Sequence, residues 1–190
     1  MAKAPETPQR ILDIAERLVQ TRGFNGFSYA DIAGPLGITK ASLHYHFPAK
    51  ATLGKRLIER YERNFRAALD KIDRSGADSR QKLKRYAAIY ADVLRDNRMC
   101  LCGMLAAEFA TLPKSMQADM RHFFDENERW LVAVLERGRE AKQLEFTGPA
   151  SEVARALVGS LEGAMMLARS YGEVSRFRQV ADRLLSELSA

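Results

Sequence analysis

The sequence predicts an all-α protein. Apolar residues recur at helical spacing along nearly the whole chain, Gly and Pro stand where helices would end, and no segment alternates in the two-residue rhythm of a strand. The 190 residues fit one or two compact domains holding about nine helices. That length leaves no room for a large multi-domain enzyme.

Each element has its own signal. Thr7 and Pro8 suit a helix start, as N-cap and first helical residue. Ile11, Ile14, Ala15, Leu18 and Val19 then line one face, and Gly23 supplies a stop. Ser28, with Asp31 three residues on, resembles a capping box opening a short helix towards Leu36. Pro35 removes an N–H inside that helix and is expected to shorten or kink it. Gly37 marks a turn, and Thr39 caps a second short helix running to about His46. Pro48 precedes a longer helix over residues 50–72, in which Leu53, Leu57, Tyr61, Phe65 and Leu69 follow at intervals of four. The polar stretch 73–79 (DRSGADS) separates this part from helical segments at 80–97, 100–111, 114–142, 150–170 and 175–188.

Composition is that of a globular chain, 46% apolar and 28% charged. The net charge of +6 is uneven: residues 1–66 hold 11 basic and 6 acidic side chains, so the remainder carries only +1. A basic end on a near-neutral body suits an anionic partner, although a merely soluble basic surface would look the same. No apolar run approaches the roughly 20 residues of a membrane span, and residues 1–10 lack the apolar core of a leader. Cys100 and Cys102 are too few and too close for a disulfide framework. A cytoplasmic chain with free thiols, no membrane association and no cofactor is the expectation.

The informative segment is 29–47, YADIAGPLGITKASLHYHF. Two short helices around a Gly turn describe a helix-turn-helix, with Ala33 small enough for close approach and Gly37 able to take the left-handed conformation. Ile38 and Leu43 would pack between the helices. Lys40, Ala41 and His44 then occupy the free face of the second helix, with Ser42, Tyr45 and His46 beside it. Lys donates to guanine edges, a small side chain meets a thymine methyl, and hydroxyls hold phosphates. His44 and His46, joined by His122, also raise a metal reading. Two positions apart they point about 200° away from each other on a helix, so no metal site is expected.

From Arg10 to Leu53 the chain resembles the DNA-binding domain of the TetR family of one-component transcriptional regulators. The aliphatic first helix, RGF at 22–24, IA at 32–33, LGI at 36–38 and HFxxK at 46–50 carry the resemblance. It implies a helix-turn-helix domain over 1–50 and a helical ligand-binding and dimerisation domain over 51–190. By position it directs Lys40, Ala41 and His44 to bases, and Ser28, Ser42, Tyr45, His46 and Lys50 to phosphates. His44 departs from the Tyr usual in the family, so the base preference there does not transfer.

Met104, Phe109, Met120, Phe123, Phe124 and Trp130 are the candidates for lining a ligand pocket, although stripes at helical spacing also describe plain core. Glu108 in that region suits either a surface ion pair or a polar ligand group. Cys100 has two readings: a small buried hydrophobe, or a reactive thiol near a helix start and close to Arg95 and Arg98. The segment around it resembles a TetR-family subgroup whose regulation uses cysteine, but Ala110 stands where that subgroup has a second cysteine. Ala154, Ala156, Gly159, Ser160, Gly163, Ala164 and Ala168, with Leu157, Leu161, Met165, Leu184 and Leu188, let helices pack closely, within one chain or across two, and the resemblance implies a homodimer. The expected whole is a homodimeric repressor that binds a near-palindromic DNA operator and is released by a small-molecule inducer. A small helical enzyme using Cys100 or His122, and a helical adaptor with a basic end, are the alternatives.

Overall fold

The computed structural model describes residues 7–188. Residues 1–6, with most of the segment read for a leader, and residues 189–190 lie outside the described range. Among the described residues there are nine α-helices and no strand: α1 (Thr7–Arg22), α2 (Tyr29–Leu36), α3 (Lys40–His46), α4 (Lys50–Asp73), α5 (Ser79–Arg95), α6 (Leu101–Ala107), α7 (Lys114–Glu140), α8 (Ala150–Tyr171) and α9 (Val174–Ser186). A 3-10 turn, Phe109–Thr111, follows α6.

Most boundaries follow the local chemistry. Thr7, expected as a cap, is already helical. Pro35 does not stop α2, which continues one residue beyond it and ends where Gly37 turns left-handed at φ 65°. The predicted helix at 100–111 is the clearest difference. α6 stops at Ala107, and Thr111 Oγ1 and the Gln117 amide take up the carbonyls of Glu108, Phe109 and Leu112 that a continuing helix would have used. α5 ends two residues early because Asn97 adopts φ 55°.

Packing sorts the chain into two compact units. The first holds the residues up to Glu62 together with Leu101–Met120. Its core is built from Ile11, Ala15 and Val19 of α1, Ile32 of α2, Leu43 of α3 and Leu53, Leu57 and Ile58 of α4, all nearly solvent-free. Arg60 fastens α4 to α1, giving one guanidinium nitrogen to Asp13 and the other to Glu16, each at 2.6 Å.

The second unit holds Arg63–Cys100 and the residues from Arg121 onward. α8 and α9 pack on each other and both meet α5. Tyr86, Phe123, Leu131, Leu161, Met165 and Phe177 form its apolar centre. One polar chain runs through this centre. The Tyr86 hydroxyl donates to Asn127 Oδ1 (3.2 Å), whose amide donates to the Phe123 carbonyl (2.8 Å). With its proton so used, Tyr86 accepts from the Tyr90 hydroxyl at 2.9 Å. At the end of α4, Asp73 accepts from Lys82 (2.7 Å) and from the Trp130 indole (2.8 Å). Burial works against that carboxylate, but the hydrogen bonds from Lys82 and Trp130 and the charges of Lys82 and Arg137 hold its pKa below the usual value.

Candidate nucleic-acid interface

The turn between α2 and α3 is fixed by backbone chemistry. Gly37 N–H bonds to the Gly34 carbonyl and Ile38 N–H to that of Ala33, closing the end of α2. Thr39 then opens α3, its hydroxyl accepting from Ser42 N–H at 3.1 Å. Leu43 is fully buried and anchors α3 to the core, so the opposite face is held outwards. At the other end of the motif, Tyr29 donates from its buried hydroxyl to the Phe47 carbonyl (2.8 Å), fastening the start of α2 to the exit of α3.

On that outward face Lys40 and Ala41 are exposed, Ser42 is half-buried, and Tyr45 is 84% exposed. His46 is half-buried, its ring meeting Tyr45 edge-on at 5.3 Å. His44 is exposed but not idle: its ring rests on Tyr29 at 4.7 Å and its Nδ1 lies 3.3 Å from the Pro48 carbonyl. That contact is a hydrogen bond when Nδ1 carries the proton, which leaves Nε2 as an acceptor. Ser28 lies at the start of α2, where Asp31 accepts from both its N–H (2.8 Å) and its hydroxyl (2.7 Å). Those two bonds, with Arg22 nearby, lower the Asp31 pKa.

Lys50 sits differently from the others. Its ammonium donates to the Phe27 carbonyl and lies over the rings of Phe27 (4.1 Å) and Phe24 (4.9 Å). Burial lowers its pKa against the opposing charges of Glu108 and Asp31. Glu108 is the partner the sequence did not reveal. It accepts from the backbone N–H groups of Phe24 (2.6 Å) and Asn25 (3.2 Å) and so closes the bend between α1 and α2. Gly23 makes this possible: at φ 85° an added Cβ would sit 2.7 Å from the Glu108 carboxylate. RGF at 22–24 held the only hint of it.

The candidate pocket residues divide between the units. Met104 and Phe109 belong to the first, where Phe109 is exposed on the 3-10 turn, and buried Met120 joins them. Phe123 is buried in the second unit, with Phe124 and Trp130 half-buried. Trp130 stacks on Tyr86 at 5.5 Å. Cys100 exposes 1% of its surface and Cys102 none. Arg95 pairs with Asp92 and Arg98 with Asp96. The accessible, cation-flanked thiol expected of a reactive Cys100 is therefore not what this fold presents.

Comparison with known proteins agrees with this architecture. The family model described as bacterial regulatory proteins, tetR family, matches residues 11–57, and that of the tetracyclin repressor-like C-terminal domain matches residues 79–184. A TetR-family transcriptional regulator from Agrobacterium tumefaciens superposes with a TM-score of 0.93 at 32% identity, over 96% of this chain and 97% of that one. A TetR transcriptional regulator from Legionella pneumophila gives 0.91 at 31% identity, over 99% and 100%. The nucleoid occlusion factor SlmA of Photobacterium profundum is 24% identical over 152 residues, 80% of this chain and 78% of that protein.

Proposed function

The chain belongs to the tetR family of bacterial regulatory proteins, and from that premise we propose that it is a repressor which binds a near-palindromic operator as a homodimer and leaves it when a small molecule occupies its C-terminal domain. The family is one of DNA-binding transcription regulators rather than enzymes, so the enzyme reading is set aside.

The outward face of α3 carries the DNA reading. Tyr45, 84% exposed beside exposed Lys40 and Ala41, is an aromatic ring left in water on a helix whose other side is locked down. Facing a groove, Lys40 suits guanine edges, Ala41 a thymine methyl, and the hydroxyls of Ser42 and Tyr45 the phosphates, whereas Ser28 already gives its hydroxyl proton to Asp31. His44, with Nδ1 occupied by Pro48, would offer Nε2 as an acceptor to an amino group of adenine or cytosine. Lys50 is better read as a fastening of the domain than as a phosphate contact, because its ammonium is already engaged.

Two subunits would set their α3 helices about one DNA turn, ~34 Å, apart. Footprinting of promoter fragments with the purified protein tests this. Two protected half-sites in successive major grooves are expected, and Lys40→Ala should cut discrimination between operator and altered half-sites about tenfold. A variant that discriminates as well as wild type would remove Lys40 from base reading, and absence of any protected site would overturn the function itself.

A further inference from the structure

Both carboxylate oxygens of Glu162, on α8, are shut off from solvent, and the group that interacts with them there is the weakly donating Cys100 thiol. The stem of the side chain reaches the surface, but its charged end does not. A buried carboxylate without a countercharge is costly to keep, more so than a buried amide or hydroxyl.

Among the described residues, the groups acting on it are polar and aromatic, and no cation is among the causes of its pKa shift. α5 contributes Tyr86 and Tyr90, both of which feel the Glu162 charge. The Cys100 thiol lies beside the carboxylate. α7 contributes Asn127, bonded to Tyr86, and Glu128, which is paired with Arg155. α9 turns only apolar Phe177, Ala181 and Leu185 inwards.

We propose that Glu162, beside the aromatic side chains of Tyr86 and Tyr90, is the recognition site for a small organic cation of the substituted-ammonium type. Such a ligand supplies the positive charge the carboxylate lacks, in surroundings where a Coulomb pair is strong. Its apolar substituents suit aromatic rings, whose quadrupole attracts cations. A neutral ligand would leave the carboxylate without a countercharge, and an anion would be repelled by it. Burial also pushes the Glu162 carboxyl up to about 7, against the Cys100 thiol, which eases its ionisation. A bound cation would then displace the proton, so affinity should rise as pH climbs through neutrality. The inference rests on the reading of the second unit as ligand-responsive and names the class of its ligand.

The test uses the full chain and the fluorescence of Trp130, the one tryptophan, which stacks on Tyr86. Tetramethylammonium, choline and benzyltrimethylammonium are titrated, each beside its uncharged analogue with carbon in place of nitrogen. At least one cation should saturate the signal with a preference of about tenfold or more over its analogue. The preference should vanish in Glu162→Gln, persist in part in Glu162→Asp, and strengthen between about pH 6 and about pH 8 in wild type only. Saturation by none of the cations, equal binding of the analogues, or an unchanged preference in folded Glu162→Gln would overturn the proposal. Operator binding by the unliganded protein is measured alongside. If DNA binding stands and cation selectivity fails, only this inference falls; if cation selectivity stands and DNA binding fails, the proposed function falls instead.

Discussion

Lys50 and Glu162 are both charged residues drawn inside, and they reward opposite treatments. Lys50 is satisfied by the Phe27 carbonyl and two aromatic faces, so Lys50→Ala should cost roughly 1–2 kcal/mol of stability in denaturant unfolding. A variant as stable as wild type, with a flatter salt dependence of DNA binding, would return Lys50 to the phosphates. Glu162 has only the weakly donating Cys100 thiol beside it. Its folded pKa of about 7 stands above the ordinary 4.5, so the folded state binds the extra proton between those values. Stability is therefore full below the ordinary pKa and is lost as pH rises through about 7, by ~3 kcal/mol in all. Glu162→Gln should abolish that slope and be the more stable protein at pH 8. Asp73 has the opposite sign: with its pKa lowered, its contribution is present above the ordinary value and fades only as acid protonates it.

At the scale of elements, α2 and α3 were legible because their punctuation is chemical. Ser28, Gly37 and Thr39 each stand where a helix terminus needs that residue type, and the fold uses all three. Gly37→Ala, forced to φ 65°, should destabilise the protein by about 1 kcal/mol without touching an exposed contact residue. Calorimetry would show it; an unchanged Tm would mean that the turn relaxes. α6 was harder to read because the residue just past its end, Glu108, is engaged by groups far away in sequence as well as by its neighbours. Glu108 leaves the helix to serve Phe24 and Asn25, and no local pattern announces a partner 84 positions distant. Glu162 was missed for a similar reason. On α8 it reads as one more charge among small residues, and only packing against Tyr86, Tyr90 and Cys100 shows that its end is buried.

For the whole molecule, the question is what covers the outer side of α8 and α9. Expected interface residues split here: Ala154, Ala164 and Ala168 pack inwards with Leu157, Leu161 and Met165, whereas Gly159 faces open space. The outer side instead exposes Met166 (55%), Leu167 (64%), Tyr171 (60%) and Val180 (41%). Such a patch on a charged protein is a natural seat for a second copy. Sedimentation at micromolar concentration should give a dimer, and Leu167→Glu should shift it to monomer and weaken operator binding with it. A monomeric wild type would count against the homodimer. The charge excess of the first 66 residues falls on the end that carries the helix-turn-helix, and it was the caps around α3, not the charge, that made the motif legible.

The sealing of the Glu162 oxygens also has a consequence in time. On the proposed reading, a ligand reaches those oxygens only through a transient opening of the packing around them. Association would then run well below the diffusion limit, and departure would be slow for the same reason. A regulator built this way would average its signal over many such openings, ignoring brief pulses and holding its state for a while after the signal has gone.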